Sequence, residues 1–222
     1  MSTDVRRADA PVVVIGPMGA GKSSVGKRVA KALGVPFTDT DRVIVREHGP
    51  IPGIFADRGE PAFRALEAQA VRAALATGGV IAVGGGAVTH ADTRQALGGA
   101  RIVLLTVSPE AVADRIAGSD RPLLANGGID AWQTIMDERA ATYAELAHVV
   151  VDTSRRPMSR VVDEVVTWLR SDAGTSERGG TTERGGTAER GGTAAPGGTA
   201  APGSTTAPGS TTTSTTSTEG AP

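Results

Sequence analysis

An apolar run, Val12-Val13-Val14-Ile15, leads straight into Gly16-Pro17-Met18-Gly19-Ala20-Gly21-Lys22-Ser23, and a helical pattern follows at once. The eight residues match G-x-x-x-x-G-K-[ST] in full, and that motif works only between a buried strand and a helix N-terminus. Its glycines let the backbone curl until successive N–H groups face one point, where an anion fits. The helix that follows adds the positive end of its dipole. Lys22 then reaches the β- and γ-phosphates of a nucleotide as a point charge, and Ser23 can ligate Mg²⁺. The alternative is a glycine-rich turn, and the strand in front and the Lys-Ser pair argue against it.

The rest of the chain alternates in the same way. Short runs rich in β-branched residues occur at Val12–Ile15, Val35–Phe37, Val80–Val83, Ile102–Val107 and Val149–Val151. Their length and lack of alternation suit buried parallel strands. Helical patterns lie between them: 23–33 with Val25, Val29, Ala32 and Leu33 on one stripe, then 60–75, 91–97, 109–116, 131–146 and 157–169. Pro109 and Pro157 suit a first helical turn. This order predicts an α/β fold with a parallel sheet covered on both faces, and ligands bind such sheets at the carboxyl ends of the strands.

Composition sets the outer limits. There is no cysteine, which excludes a disulfide scaffold and thiolate metal sites. The formal net charge is −1, so no global basic signal points to nucleic acid. Residues 1–10 are polar and read as a flexible N-terminus without the apolar core of a signal peptide. No window holds the roughly 18 apolar residues of a membrane span, so a cytoplasmic protein is expected. From residue 173 the composition changes to repeats such as Thr-Thr-Glu-Arg-Gly-Gly and Thr-Ala-Ala-Pro-Gly-Gly. This stretch, 173–222, has no Val, Ile, Leu, Met or aromatic residue and predicts a disordered tail, because it offers nothing to bury against the entropy of ordering. The folded domain is expected over 11–172.

Candidate chemistry follows the strands. After the second comes Asp39-Thr40-Asp41, two acids that would face the same way on a strand end. Their simpler reading is a helix N-cap before 43–46. After the third comes Gly84-Gly85-Gly86, which removes side chains where a ligand approaches the backbone. Its simpler reading is a flexible turn. A polar stretch, 117–128, carries Arg121 between Gly118 and the pair Gly127-Gly128, and suits a closing lid. Arg64 has the simpler reading of a solvated pair with Glu60 or Glu67, and Arg139 of a pair with Asp137 or Glu138. His48, His90 and His148 lack ligand-like spacing; Trp132 and Trp168 read as packing residues.

Taken together, the phosphate loop, Asp39-Thr40-Asp41, Ile54-Phe55, Gly59-Glu60, Phe63-Arg64, Glu67, Gly84–Val88, Arg121–Leu124, and Arg139 with Tyr143 stand in the order of a shikimate kinase. The chain resembles that family from about Val12 to Leu169. The resemblance implies a three-layer P-loop kinase of the nucleoside monophosphate kinase type, with a five-stranded parallel sheet in the order 2-3-1-4-5. It implies transfer of the ATP γ-phosphate to the 3-hydroxyl of shikimate, with Mg²⁺, within chorismate and aromatic amino acid biosynthesis. By similarity, Gly19, Ala20, Gly21, Lys22, Ser23 and Ser24 hold the ATP phosphates, and Ser23 and Asp39 serve the metal. Asp41 takes shikimate hydroxyls and orients or deprotonates the nucleophile. Arg64 and Arg139 clamp the carboxylate, and Gly85 offers its backbone N–H. Arg121 is the lid arginine, which joins Lys22 and Asp41 as catalytic groups, and Arg156 lies beside the adenine. A monomer is expected.

Two departures stand out. The stretch Glu47–Pro52 is a residue short and has two prolines, and the spacing from Arg115 to Arg121 is also short, which leaves a contact from Arg115 in doubt. A gluconate kinase or other small-polyol kinase is the alternative on this fold; the glycine run and Phe63-Arg64 argue against it. A GTPase switch lacks its N-K-x-D and D-x-x-G strings. A catalytically dead binding module is at odds with intact Lys22, Ser23, Asp39 and Asp41.

Overall fold

All four residues of the first strand, β1 (Val12–Ile15), are buried. A strand with both faces apolar needs cover on both sides, and the computed structural model, which describes residues 10–116 and 128–178, supplies it. Val12 and Val14 face one core with Val25, Val29, Val165 and Leu169. Val13 and Ile15 face the other with Val71, Ala74, Leu97 and Tyr143. Val13, Val14 and Ile15 have no exposed surface, and each such side chain stabilises the fold by about 1.5–3 kcal/mol.

β1 is the middle of a five-stranded sheet of order β2-β3-β1-β4-β5, in which every pairing is parallel. The other strands are β2 (Phe37–Asp39), β3 (Val80–Ala82), β4 (Arg101–Thr106) and β5 (Val149–Asp152). The helices are α1 (Lys22–Leu33), α2 (Thr40–His48), α3 (Ile51–Thr77), α4 (Ala91–Ala96), α5 (Pro109–Ile116), α6 (Gly128–Leu146) and α7 (Met158–Arg178). The expected sheet, its strand order and its two-sided cover are all present.

Four local expectations shift. The second strand begins at Phe37 and not at Val35. Gly34, at φ 69°, closes α1 in the left-handed region, and the Val35 N–H donates to Ala30 O. That is a Schellman cap, so Val35 is used in ending the helix and is left 38% exposed. The α1 stripe centres on Val25, Gly26, Val29 and Ala30, with Ala32 outside it. α3 extends far upstream of residue 60, but it is two helical pieces: Gly59, at φ 76° and ψ 171°, breaks it, and Pro61 sits in the first turn of the second piece. Pro50 caps the first piece, so the short proline-bearing stretch restarts a helix at once. Finally, α7 continues to Arg178, past the boundary expected at residue 173. The remaining tail and residues 1–9 lie outside the described residues. No described helix is long and apolar enough to cross a membrane.

Candidate active site

The carboxyl ends of the parallel strands face one edge, and the chain places its polar chemistry there. The phosphate loop leaves β1 at Gly16, itself at φ 134°, and then needs two more positive-φ residues, Gly19 at φ 85° and Gly21 at φ 86°. A side chain at either position is strained whatever the space around it. Lys22 folds its ammonium back over the loop, donating to Gly16 O at 2.8 Å and Pro17 O at 2.9 Å.

A cavity of 220 Å³ opens beside this loop, with Gly19, Gly21, Ser24, Thr153, Arg156 and Met158 on its wall. Its lining suits a nucleotide: backbone N–H groups and a helix N-terminus at one end, an apolar thioether and a cation at the other. Arg156 is held there by Glu164. Ser23 sits in the first turn of α1, and Asp39 ends β2 with its side chain 9% exposed. One hydroxyl and one carboxylate are hard oxygen donors, and Mg²⁺ on a nucleotide takes few protein ligands because it keeps its waters. The donor set therefore fits Mg²⁺.

The helix-cap reading of the acidic pair holds for Asp39. Asp39 is the N-cap of α2, accepting from Arg42 N at 3.2 Å. The pair does not lie on one strand, as the sequence suggested, because β2 stops at Asp39 and Asp41 falls in the first helical turn. Thr40 between them is fully buried and donates to Ala82 O. That bond to β3 fixes the turn, and Asp41 then reaches across to Gly84.

The three glycines divide the work. A Cβ on Gly84 would collide with Glu67 Oε1 and lie 2.7 Å from Asp41 Oδ1. A Cβ on Gly86 would lie 2.5 Å from Arg64 Nη1. These two glycines are buried and clear room for protein side chains, not for a ligand. Gly85 alone is partly open, and it faces the phosphate loop, with Gly16 O 3.4 Å from the position of a Cβ. Tyr143 donates its phenol to Gly85 O at 2.6 Å.

Arg64 is no surface pair. Its side chain is 16% exposed and donates to Glu67 at 2.7 Å and to Glu60 at 3.0 Å. Glu67 is 1% exposed. Burial pushes its pKa above the ordinary glutamate value, Asp41 adds to the rise, and Arg64 and Arg139 oppose it. Burial likewise raises the Tyr143 phenol, against the pull of Arg139, so Tyr143 stays a donor at neutral pH. Arg139 of α6 thus faces Tyr143 and Glu67 instead of its neighbours Asp137 and Glu138. Phe63 packs between Phe55, at 4.6 Å, and the Arg64 guanidinium, at 5.3 Å. Two arginines, two carboxylates, a phenol and an open glycine backbone converge within reach of the phosphate loop.

Arg121 lies outside the described residues. Arg115, whose contact was in doubt, is tied to the nucleotide end of the site, donating to Gly19 O at 2.8 Å and to the backbone after β5 at Thr153 and Ser154. Sequence reasoning missed Thr153, which is buried beneath the phosphate loop, and the polar role of Trp132, whose indole donates to Met18 O at 2.9 Å. Only the position of Thr153 directly after an apolar strand pointed to it.

Comparison with known proteins agrees with this arrangement. The family model described as shikimate kinase matches residues 18–170. A shikimate kinase of Streptomyces avermitilis is 46% identical over 158 residues, 70% of this chain and 92% of that protein. One from Mycobacterium avium is 44% identical over 161 residues, covering 71% and 92%. The structure of a shikimate kinase from Acinetobacter baumannii in complex with shikimate superposes with a TM-score of 0.67 at 31% identity, over 73% of this chain and 94% of that one. A gluconokinase from Sinorhizobium meliloti, at a TM-score of 0.54 and 24% identity, shares the fold alone. By sequence, fold and the order of its site residues, the chain belongs to the shikimate kinase family.

Proposed function

We propose that this chain transfers the γ-phosphate of ATP to the 3-hydroxyl of shikimate, giving shikimate 3-phosphate and ADP, as a step in chorismate and aromatic amino acid biosynthesis. The observation that carries the reading is the cluster of Arg64, Arg139, Asp41 and Gly85 beside the phosphate loop. Shikimate is a polyol with one carboxylate. Guanidinium groups grip a carboxylate with paired charge-assisted bonds, and an ionised carboxylate accepts from hydroxyls.

The residues divide the reaction as follows. Backbone N–H groups of Gly19, Ala20 and Gly21, with Lys22, Ser23 and Ser24, hold the ATP phosphates, and Arg156 lies beside the adenine. Ser23 binds the Mg²⁺ and Asp39 holds it through water; when bound, the ion neutralises charge on the phosphate oxygens. Arg64 and Arg139 fix the shikimate carboxylate, with Glu67 buried behind Arg64 to hold its guanidinium in place. Gly85 offers its N–H to the substrate. Asp41 receives the attacking hydroxyl and orients or deprotonates it. Lys22 and Arg121 supply positive charge around the moving phosphoryl group. This division asks for positioning and charge, which is what phosphoryl transfer needs.

The test is ADP formation under saturating ATP. Release of ADP should require shikimate and Mg²⁺ together, and should stop on addition of a chelator. Equal release with and without shikimate would make the chain an ATPase and overturn the reading.

A cytoplasmic monomer accompanies this reading. We also propose that residues 11–172 are the working domain and that the stretch from 173, whose first six residues complete α7, is an appendage that catalysis does not need. The last deeply buried anchor of α7 is Leu169, and Asp172 binds Arg101 at 3.2 Å. A chain ended after Ala173 keeps both. Its kcat and both KM values should stay within about twofold of the full chain, a margin of well under 1 kcal/mol. A tenfold fall in kcat/KM would show that the tail takes part.

A further inference from the structure

Every carbonyl of the phosphate loop has a donor. Gly16 O and Pro17 O take Lys22 Nζ. Met18 O takes the indole N–H of Trp132 at 2.9 Å, Gly19 O takes Arg115 Nη1 at 2.8 Å, and Ala20 O takes Thr153 Oγ1 at 3.1 Å. Gly21 O takes the Val25 N–H at 2.9 Å, the first bond of α1. In a planar trans peptide the N–H of one residue points opposite to the carbonyl of the residue before it. Drawing the carbonyls of Met18, Gly19 and Ala20 outward therefore turns the N–H groups of Gly19, Ala20 and Gly21 the other way, that of Ala20 closing a turn on Pro17 O at 3.3 Å. Without such ties a loop with glycines at 16, 19 and 21 has many competing conformations.

Of the three outer donors, Trp132 is the cleanest. Arg115 spreads over several carbonyls, and the single hydroxyl proton of Thr153 is shared between Ala20 O and Thr106 O. Trp132 is 3% exposed, has one polar side-chain atom, and gives it to one partner 114 residues away. A buried indole N–H needs an acceptor wherever it sits, and here the acceptor is a carbonyl of the phosphate loop itself. We infer that Trp132 is a positioning residue for ATP, holding the Met18–Gly19 peptide so that the phosphate-binding N–H groups are oriented before the nucleotide arrives.

The inference rests on the loop being the phosphate seat, as proposed above. Trp132→Phe keeps an aromatic ring in the core and removes the donor, leaving Met18 O without its partner. Loss of one such bond to a partly buried carbonyl corresponds to about tenfold in affinity. Calorimetry on the full chain should therefore show ATP binding about tenfold weaker in Trp132→Phe, with the KM for ATP raised and the KM for shikimate within twofold of the parent. ATP binding equal to that of the parent, with only the melting temperature lowered, would reduce Trp132 to packing. If Trp132→Phe does not fold, Thr153→Val and Thr153→Ser decide. Weaker ATP binding in the valine variant, restored by serine, supports carbonyl tethering of the loop; equal binding in both overturns it. Failure of the parent chain to bind ATP is a separate result, and would overturn the phosphate seat itself.

Discussion

Replacing Asp41 by asparagine should lower kcat about a thousandfold while changing the KM for ATP little. The side chain leaves the first turn of α2 and ends over Gly84, beside Glu67. Asparagine has the same shape, so the packing against Gly84 survives. It carries no charge and offers the attacking hydroxyl one acceptor where the carboxylate offers two. A positioned carboxylate that orients or deprotonates a nucleophile contributes roughly 10²–10⁴ in rate. The rival account makes Asp41 a helix-start residue that merely favours the α2 dipole, worth about 0.3–1 kcal/mol of stability. Steady-state kinetics separates the two. A variant with normal kcat and a slightly lower melting temperature would support the rival.

Arg139→Ala should raise the KM for shikimate about a hundredfold or more and leave ATP affinity within about threefold. Each charge-assisted hydrogen bond contributes roughly 1.5–3 kcal/mol, and a paired grip on a carboxylate uses two. The guanidinium also offsets the buried charge of Glu67, whose pKa burial already raises. Removing it shifts Glu67 further towards its protonated form, which weakens the hold of Glu67 on Arg64. One substitution thus loosens both carboxylate contacts, so the loss exceeds that of a single arginine on an exposed surface. Equal losses for ATP and shikimate in paired binding titrations would contradict the assignment.

The parts of this molecule that could be read from the chain are those with a local physical signature. The phosphate loop is contiguous, and its glycines, lysine and serine are fixed by the shape of an anion. β1, β3, β4 and β5 showed themselves as the apolar runs that a sheet covered on both faces needs, whereas the run at Val35–Phe37 meets β2 only at Phe37. Boundaries were less legible where backbone groups had competing uses: the Val35 N–H went to a helix cap, and a helical piece begins at Ile51, upstream of the helix expected from residue 60 and parted from it by Gly59. The triple glycine was noticed for a partly mistaken reason. Gly84 and Gly86 serve Asp41, Glu67 and Arg64, and only Gly85 is left for a ligand. Trp132 and Thr153 were invisible as site residues because their bonds to the phosphate loop span 114 and 133 residues. No sequence window contains such a contact. The electrostatics of Glu67 was hidden for the same reason, since its pKa is raised by burial and by Asp41 and held back by Arg64 and by Arg139 of another element.

The central claim is that one small site holds a carboxylate-bearing polyol against the ATP γ-phosphate. Its most direct test is ADP release measured across a panel of acceptors, with shikimate and gluconate as the decisive pair. Shikimate should stimulate release in a saturable, Mg²⁺-dependent way, and gluconate should not. ATP turnover indifferent to shikimate but stimulated by gluconate or another polyol would contradict the account.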